Sequence, residues 1–348
     1  MRKRRWVVLS LMLVLALVGG ACGDDDDEGT VTPGGLPRPT FAAGTTMARL
    51  QQNGKIIVGT KFNQIGSGIV NPNTGELEGF DIEIAKLMAV GIFGGTVEEI
   101  DEQDRIEFVE TVSGVPEAVI VAGERDMVIA TYTISDKRKE QVDFAGPYLI
   151  DNQDIMVKAD NDSIRTVADL NGKRVCTGQG STSPAHLASK APQAEVILFA
   201  GYPECGDALR QDRVDAVVTD RGILLGIIDG SGGQFKLAKV PVSDVPLGIG
   251  IKKGDDAFRE FLNPRLEAIY DSGEWAAAYE DTLGKLGLET PQPPPVNRYP
   301  STGAAPATTT TAAGGGGTGT TTATTGGTTT TTAATTATTA GATATTSG

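Results

Sequence analysis

The sequence predicts an α/β layered fold, and three observations carry that expectation. Between Lys55 and Leu288, short apolar runs bounded by Gly, Asn and Pro alternate with stretches of helical periodicity. No segment repeats at a fixed period, which argues against a solenoid or propeller. From Ala307 to Gly348 the chain holds only Ala, Thr, Gly and Ser347, so this tail has neither large side chains nor charges from which to build a core. Taken in order, strands are expected at 56–58, 106–109, 127–129, 155–157, 173–176, 196–199, 214–218 and 248–251. Phe80, Ile84, Leu87 and Met88 lie at helical spacing behind Asp81, which could help start their helix. Further helices are expected at 115–122, 183–190, 205–211 and 221–228, with two more within 257–286.

Composition removes several classes of function. Of 348 residues, 30 are Lys or Arg and 44 Asp or Glu, for a net charge of −14, and one is His. An acidic chain with few aromatics is a poor partner for nucleic acid, because neutralising phosphates needs a surplus of cations. A single histidine excludes poly-His metal sites and limits any Ser-His-Asp triad to His186. No metal site and no cofactor is expected.

The N-terminus has the charge order of a secretory signal: Arg2, Lys3, Arg4 and Arg5, an apolar stretch from Trp6 to Val18, then small residues before Cys22. The apolar stretch is short for a membrane span. Leu17-Val18-Gly19-Gly20-Ala21-Cys22 resembles the lipobox of bacterial lipoproteins, whose cysteine is lipidated as the signal is cleaved. On that reading 1–21 is the signal peptide and lipidated Cys22 anchors the chain in the cell envelope, at the outer face of the cytoplasmic membrane or in the periplasm. The alternative is an ordinary signal peptide that leaves Cys22 a free thiol. Asp24 to Asp27 and Glu28 make 22–48 an acidic, flexible tether, and Pro291, Pro293, Pro294 and Pro295 open a disordered tail at 291–348. Its Thr/Ala/Gly composition resembles O-glycosylated stalks.

The order of segments within the core resembles the bacterial extracellular solute-binding proteins of family 3, receptors of polar amino-acid ABC importers. The likeness is carried by Ile57-Val58-Gly59-Thr60-Lys61-Phe62, by Phe80-Asp81-Ile82-Glu83-Ile84-Ala85, and by Thr131-Tyr132-Thr133-Ile134-Ser135-Asp136-Lys137-Arg138. It continues through Val142-Asp143-Phe144-Ala145-Gly146-Pro147-Tyr148, 176–183, 214–220 and 248–254. Within the family the chain is most similar to glutamate-binding lipoproteins. The resemblance implies a two-lobed periplasmic-binding-protein-like fold of type II, with lobe 1 at 49–152 and 245–290 and lobe 2 at 153–244. Two hinge crossings would lie near 153–157 and 244–248, and the lobes would close on a ligand between them.

A free amino acid needs a cation for its carboxylate, an anion for its ammonium and a selective set for its side chain. The resemblance implies that Arg138 clamps the α-carboxylate, for which the planar guanidinium fork is suited, with Thr131 and Thr133 as neighbouring contacts. By its residues alone, Lys137-Arg138-Lys139 is a solvated basic patch. Gly178-Gln179-Gly180-Ser181-Thr182-Ser183-Pro184 stands between a strand and a helix, where backbone N–H groups and hydroxyls can surround an anion. It also reads as a plain helix cap; the family uses this turn to close lobe 2 on the carboxylate, which assigns Ser181 and Thr182. Asp220 matches the carboxylate that meets the ammonium. Lys61 matches a position that touches the ligand side chain in some relatives, and with Gln64 it favours a second carboxylate, hence glutamate or aspartate. Two departures stand out: Arg221, where a second acid is expected, and 112–116, which lacks an expected arginine.

Cys176 and Cys205 match paired positions of the glutamate-binding relatives, and two cysteines in an exported domain read as a disulfide. No nucleophile and base, and no carboxylate pair, stand at a catalytic motif, so the chain reads as a binding protein rather than an enzyme. The expected partners are an amino acid, an ABC permease and the membrane through the lipid anchor, with the chain itself monomeric. The alternatives are a receptor for glutamine or another polar amino acid and, on the same fold, a periplasmic enzyme such as a cyclohexadienyl dehydratase.

Overall fold

The computed structural model describes residues 35–297. The expected signal peptide, Cys22, the first part of the tether and the tail from residue 298 onward lie outside the described residues.

A nine-stranded mixed sheet organises the fold. Its order across the sheet is Ile106–Glu110, Ile56–Thr60, Met127–Val128, Ser243–Lys252, Val142–Lys158, Ala216–Asp220, Arg174–Gly178 and Glu195–Phe199, with Phe235–Leu237 added to one end of Val142–Lys158. The first three strands run parallel to one another, as do Ala216–Asp220, Arg174–Gly178 and Glu195–Phe199. Between these parallel sets lie two antiparallel strands paired from Ser243 opposite Gln153 to Lys252 opposite Val142. These long strands are the crossings, so the chain forms two α/β lobes on one continuous sheet.

The apolar side chains separate in the same way. One large cluster, with Phe80, Tyr148, Trp275 and Tyr279 among its members, draws on residues up to Leu149 and beyond Val245, and Ile120, Tyr132 and Phe144 belong to a smaller neighbour. Two further clusters draw only on residues between Ile155 and Val242. The helix Phe80–Phe93 carries apolar side chains almost all round and is buried almost all round, as such helices must be.

Most elements lie within a few residues of their expected positions, and the departures have physical causes. The strand expected at 155–157 is the end of the 17-residue strand Val142–Lys158. Gly146 and Pro147 lie inside this strand, and the pairing accommodates them with a register shift between Leu247 and Ile249. The helix expected from residue 205 starts at Tyr202, because Pro203 fits a first helical turn.

Two expected boundaries are corrected. Part of the tether expected at 22–48 is packed onto lobe 1: Leu36 bridges to Gly95, Phe41 meets Phe261 edge-on at 5.2 Å, and Thr45 caps the helix Thr46–Asn53. The tail expected from residue 291 also begins on the body, with Val296 against the large cluster and Asn297 N–H donating to Gly146 O. Proline and polar content predicted solvation at both ends, but Phe41 and Met47 at one end and Val296 at the other find partners distant in sequence. Among the described residues no helix is long and apolar enough to cross a membrane. No group of three or more His, Cys, Asp or Glu side chains among them could hold a metal ion.

Candidate functional site

The carboxyl ends of the parallel strands from both lobes converge on one cavity, the place where open α/β sheets bind ligands. Ile56–Thr60 delivers Lys61, Met127–Val128 leads to Thr131 and Thr133, Arg174–Gly178 leads to Ser181 and Thr182, and Ala216–Asp220 ends on Asp220. All of these, with Arg138, line the cavity. Its free volume is about 20 Å³, room for roughly one water molecule.

Arg138 is 8 % exposed, and three of its N–H groups are engaged. Nη1 donates to Thr133 O at 2.8 Å, Nη2 to Gly180 O at 3.1 Å across the cleft, and Nε to Glu117 at 3.1 Å, while the guanidinium lies 4.5 Å above the Tyr132 ring. Arginine carries five N–H donors, so some remain for a ligand. Its place in the helix Asp136–Lys139, capped by Ser135, turns Arg138 inward; the basic run is therefore one buried cation between exposed Lys137 and half-buried Lys139.

Lys61 is 4 % exposed and donates from Nζ to Thr111 O at 2.7 Å and Ser113 Oγ at 3.1 Å. Burial pushes its ammonium down to about 7, against the opposing pull of Asp81. Ser113 and Pro116 also line the cavity, so the loop that lacks the expected arginine still reaches the site. Gln64 does not line it; its Oε1 accepts from Thr131 Oγ1 at 3.1 Å, behind the wall.

Thr131 adopts φ +49°, a left-handed conformation that is strained for a β-branched residue. Asp81 holds it there by accepting the Thr131 N–H at 2.7 Å, and accepts the Tyr148 hydroxyl at 2.7 Å. Burial raises the Asp81 carboxyl to about 6. Sequence reasoning made Asp81 only a helix starter; nothing local indicated its second task.

On the opposite wall Asp220 is 5 % exposed and accepts from Gln153 Nε2 at 3.1 Å. Burial and the neighbouring Asp151 raise its carboxyl to about 7. The same amide nitrogen reaches Ser183 Oγ at 2.9 Å and Thr182 Oγ1 at 3.3 Å. Ser181 lies with Thr177 and Thr219 around the Tyr202 hydroxyl. Gln153, Tyr132 and Tyr202 line the cavity and were not singled out from the sequence; their only signal is proximity to motif residues. Arg221 is outside the cavity lining and pairs with buried Asp154 at 3.1 Å. Behind this wall Cys176 and Cys205 form a disulfide, with Cα atoms 5.6 Å apart.

Comparison with known proteins shows the family. A profile of the bacterial extracellular solute-binding proteins, family 3, matches residues 56–285. The chain is 33% identical over 274 residues to the ABC transporter glutamine-binding protein GlnH of Bacillus subtilis, covering 78% of this chain and 94% of that one. It is 34% identical over 240 residues to the glutamate-binding protein GluB of Corynebacterium glutamicum, covering 67% and 80%. Among solved structures, an ancestral arginine-binding protein bound to glutamine superposes with a TM-score of 0.60 at 34% identity, over 66% of this chain and 98% of that one. The chain belongs to the bacterial extracellular solute-binding proteins, family 3.

Proposed function

We propose that this chain is the amino-acid receptor of an ABC importer and that its ligand is glutamate or aspartate. The observation that carries the ligand assignment is the charge inventory of the cavity. It is lined by two cations, Lys61 and Arg138, and one anion, Asp220. A free acidic amino acid is the complement, with two carboxylates and one ammonium. Arg138 takes the α-carboxylate with Thr131, Thr133, Ser181 and Thr182 around it, Asp220 takes the ammonium, and Lys61 takes the side-chain carboxylate. A glutamine would give the buried Lys61 no carboxylate partner, leaving only the pull of Asp81, Glu110 and Asp220 against the cost of its burial. Relatives of similar identity are named for glutamine and for glutamate, so the assignment rests on the cavity.

Arg138 reaches Gly180 O across the cleft at 3.1 Å, so an amino acid enters when the walls part. Lobe 1, at 49–152 and 245–290, and lobe 2, at 153–244, would move apart about the two crossing strands. The ligand then drives closure only by its differential affinity for the closed arrangement. Lipidation at Cys22 would keep the receptor at the membrane, beside its permease.

Calorimetry of the chain against the twenty amino acids tests the reading, with Lys61→Met alongside. Glutamate or aspartate is expected to bind tightest, with neither converted to product. A wild type that prefers glutamine overturns the ligand assignment, and one that binds no amino acid overturns the receptor assignment.

A further inference from the structure

His186, which does not line the cavity, stands one residue behind its second wall. It lies in the first turns of the helix Ser183–Lys190, with Nδ1 2.8 Å from Gln153 Oε1. Gln153 is 1 % exposed and belongs to the crossing strand Val142–Lys158. Its amide therefore links the histidine to Asp220, Ser183 and Thr182.

We propose that His186 is a positioning residue for the ammonium-binding end of the site: its Nδ1–H fixes the Gln153 amide so that the amide nitrogen points at Asp220. The chemistry of each partner supports this direction. The form of Asp220 that pairs with an ammonium is the ionised one, which only accepts hydrogen bonds, and in that form the Gln153 group beside it has to be the NH₂, 3.1 Å from Oδ1. The carbonyl end then faces the imidazole, and a carbonyl only accepts, so His186 has to donate from Nδ1. A neutral imidazole carries one N–H, and this arrangement selects the Nδ1–H tautomer. Burial and the neighbouring Lys190 hold the imidazole below its ordinary value, which favours its neutral form. If the histidine accepted instead, the amide would turn and place its oxygen against Asp220, and Ser183 would lose a donor. The NH₂ has two hydrogens, which serve Ser183 Oγ at 2.9 Å and Asp220 Oδ1 at 3.1 Å, with Thr182 Oγ1 farther off at 3.3 Å. The only histidine of the chain thus sets the polarity of a wall that it does not reach.

This inference rests on the reading of Asp220 as the ammonium partner, and two measurements separate the claims. The first needs no ligand. In the untagged, full-length chain His186 is the only imidazole, so long-range ¹H–¹⁵N correlation reads its tautomer directly. An Nδ1–H imidazole is expected, and an Nε2–H imidazole overturns the relay. The second is an isosteric series at position 186, read by calorimetry with glutamate. His186→Leu removes the donor and is expected to weaken binding about five- to tenfold, the worth of one hydrogen bond. His186→Asn places an amide Nδ2 where Nδ1 stood and is expected to recover binding to within about twofold of wild type. His186→Asp places an acceptor there and is expected to bind weakest. Leu binding as wild type, or Asn weakened as much as Leu, overturns the proposal, because the residue would then do nothing or merely fill space. A wild type that binds no amino acid removes the receptor reading, while the tautomer still decides the relay.

Discussion

The two walls of the cavity are built in different ways. On the lobe 1 wall, each cation is oriented by main chain close by: Arg138 by Thr133 O at 2.8 Å and Lys61 by Thr111 O at 2.7 Å. That wall also stands on the large cluster in which Phe80 meets Tyr148, Trp275 and Tyr279. On the lobe 2 wall, Asp220 is held by Gln153, which belongs to the crossing strand, and Gln153 in turn meets His186. Its core is two smaller clusters, one of which contains the disulfide. The difference teaches that Lys61 is preset within one lobe, that Arg138 is oriented there but also reaches Gly180 O across the cleft, and that the anion is positioned through an element shared by both. Movement about the crossings would therefore break the Arg138–Gly180 bond and disturb the hold on Asp220, while leaving Lys61 in place.

Four experiments break or sharpen this contrast, beginning with the largest effect. Arg138→Ala should strand a ligand carboxylate in a desolvated cleft and cost about 2 to 5 kcal/mol, or roughly 30- to several-thousand-fold in Kd. Calorimetry showing a change of less than about threefold would place the carboxylate elsewhere. Removing the disulfide with Cys176→Ser and Cys205→Ser should lower stability by about 3 to 4 kcal/mol, given the 29-residue separation. Chemical denaturation checks this: an unchanged midpoint means that the small clusters hold lobe 2 without the bridge.

Lys61→Met separates the two cations. Losing a charge-assisted hydrogen bond should weaken glutamate binding by about 1.5 to 3 kcal/mol, with glutamine left within about threefold. Equal losses for both ligands would mean that Lys61 does not read the side chain. The smallest effect per step is the pH dependence. The Asp220 carboxyl lies at about 7, and binding an ammonium favours its ionised form, so affinity should fall as pH drops below about 7. The Lys61 ammonium also lies at about 7, and binding a carboxylate favours its protonated form, so glutamate affinity should fall as pH rises above about 7. Each limb is about tenfold per pH unit. The expected glutamate profile is bell-shaped, and glutamine should lack the alkaline limb. A glutamate Kd flat from pH 6 to 8 would remove both groups from recognition.

Much of this was legible in the sequence. Alternating short strands and helical stretches announced the layered fold because side-chain period and turn residues are local properties. The turn Gly178 to Ser183 was legible for the same reason: small residues followed by hydroxyls mark a helix start wherever it lies. Gln153 and His186 were not legible as a pair, since they lie 33 residues apart and meet only because a strand and a helix pack together. Neither was the second task of Asp81, which caps no sequence pattern and reaches Thr131 across 50 residues.

What the sequence determined by itself is the kind of chain: an acidic, histidine-poor α/β protein whose motif residues supply two cations and an anion at strand ends. Only the tertiary structure decided which charges meet. It turned Arg138 inward from a basic run, sent Arg221 to Asp154 and away from the cavity, and drew the packed core outward to Phe41 and Val296. The physical reason is that composition and periodicity act over a few residues, whereas desolvation and hydrogen-bond geometry depend on which distant segments share the interior.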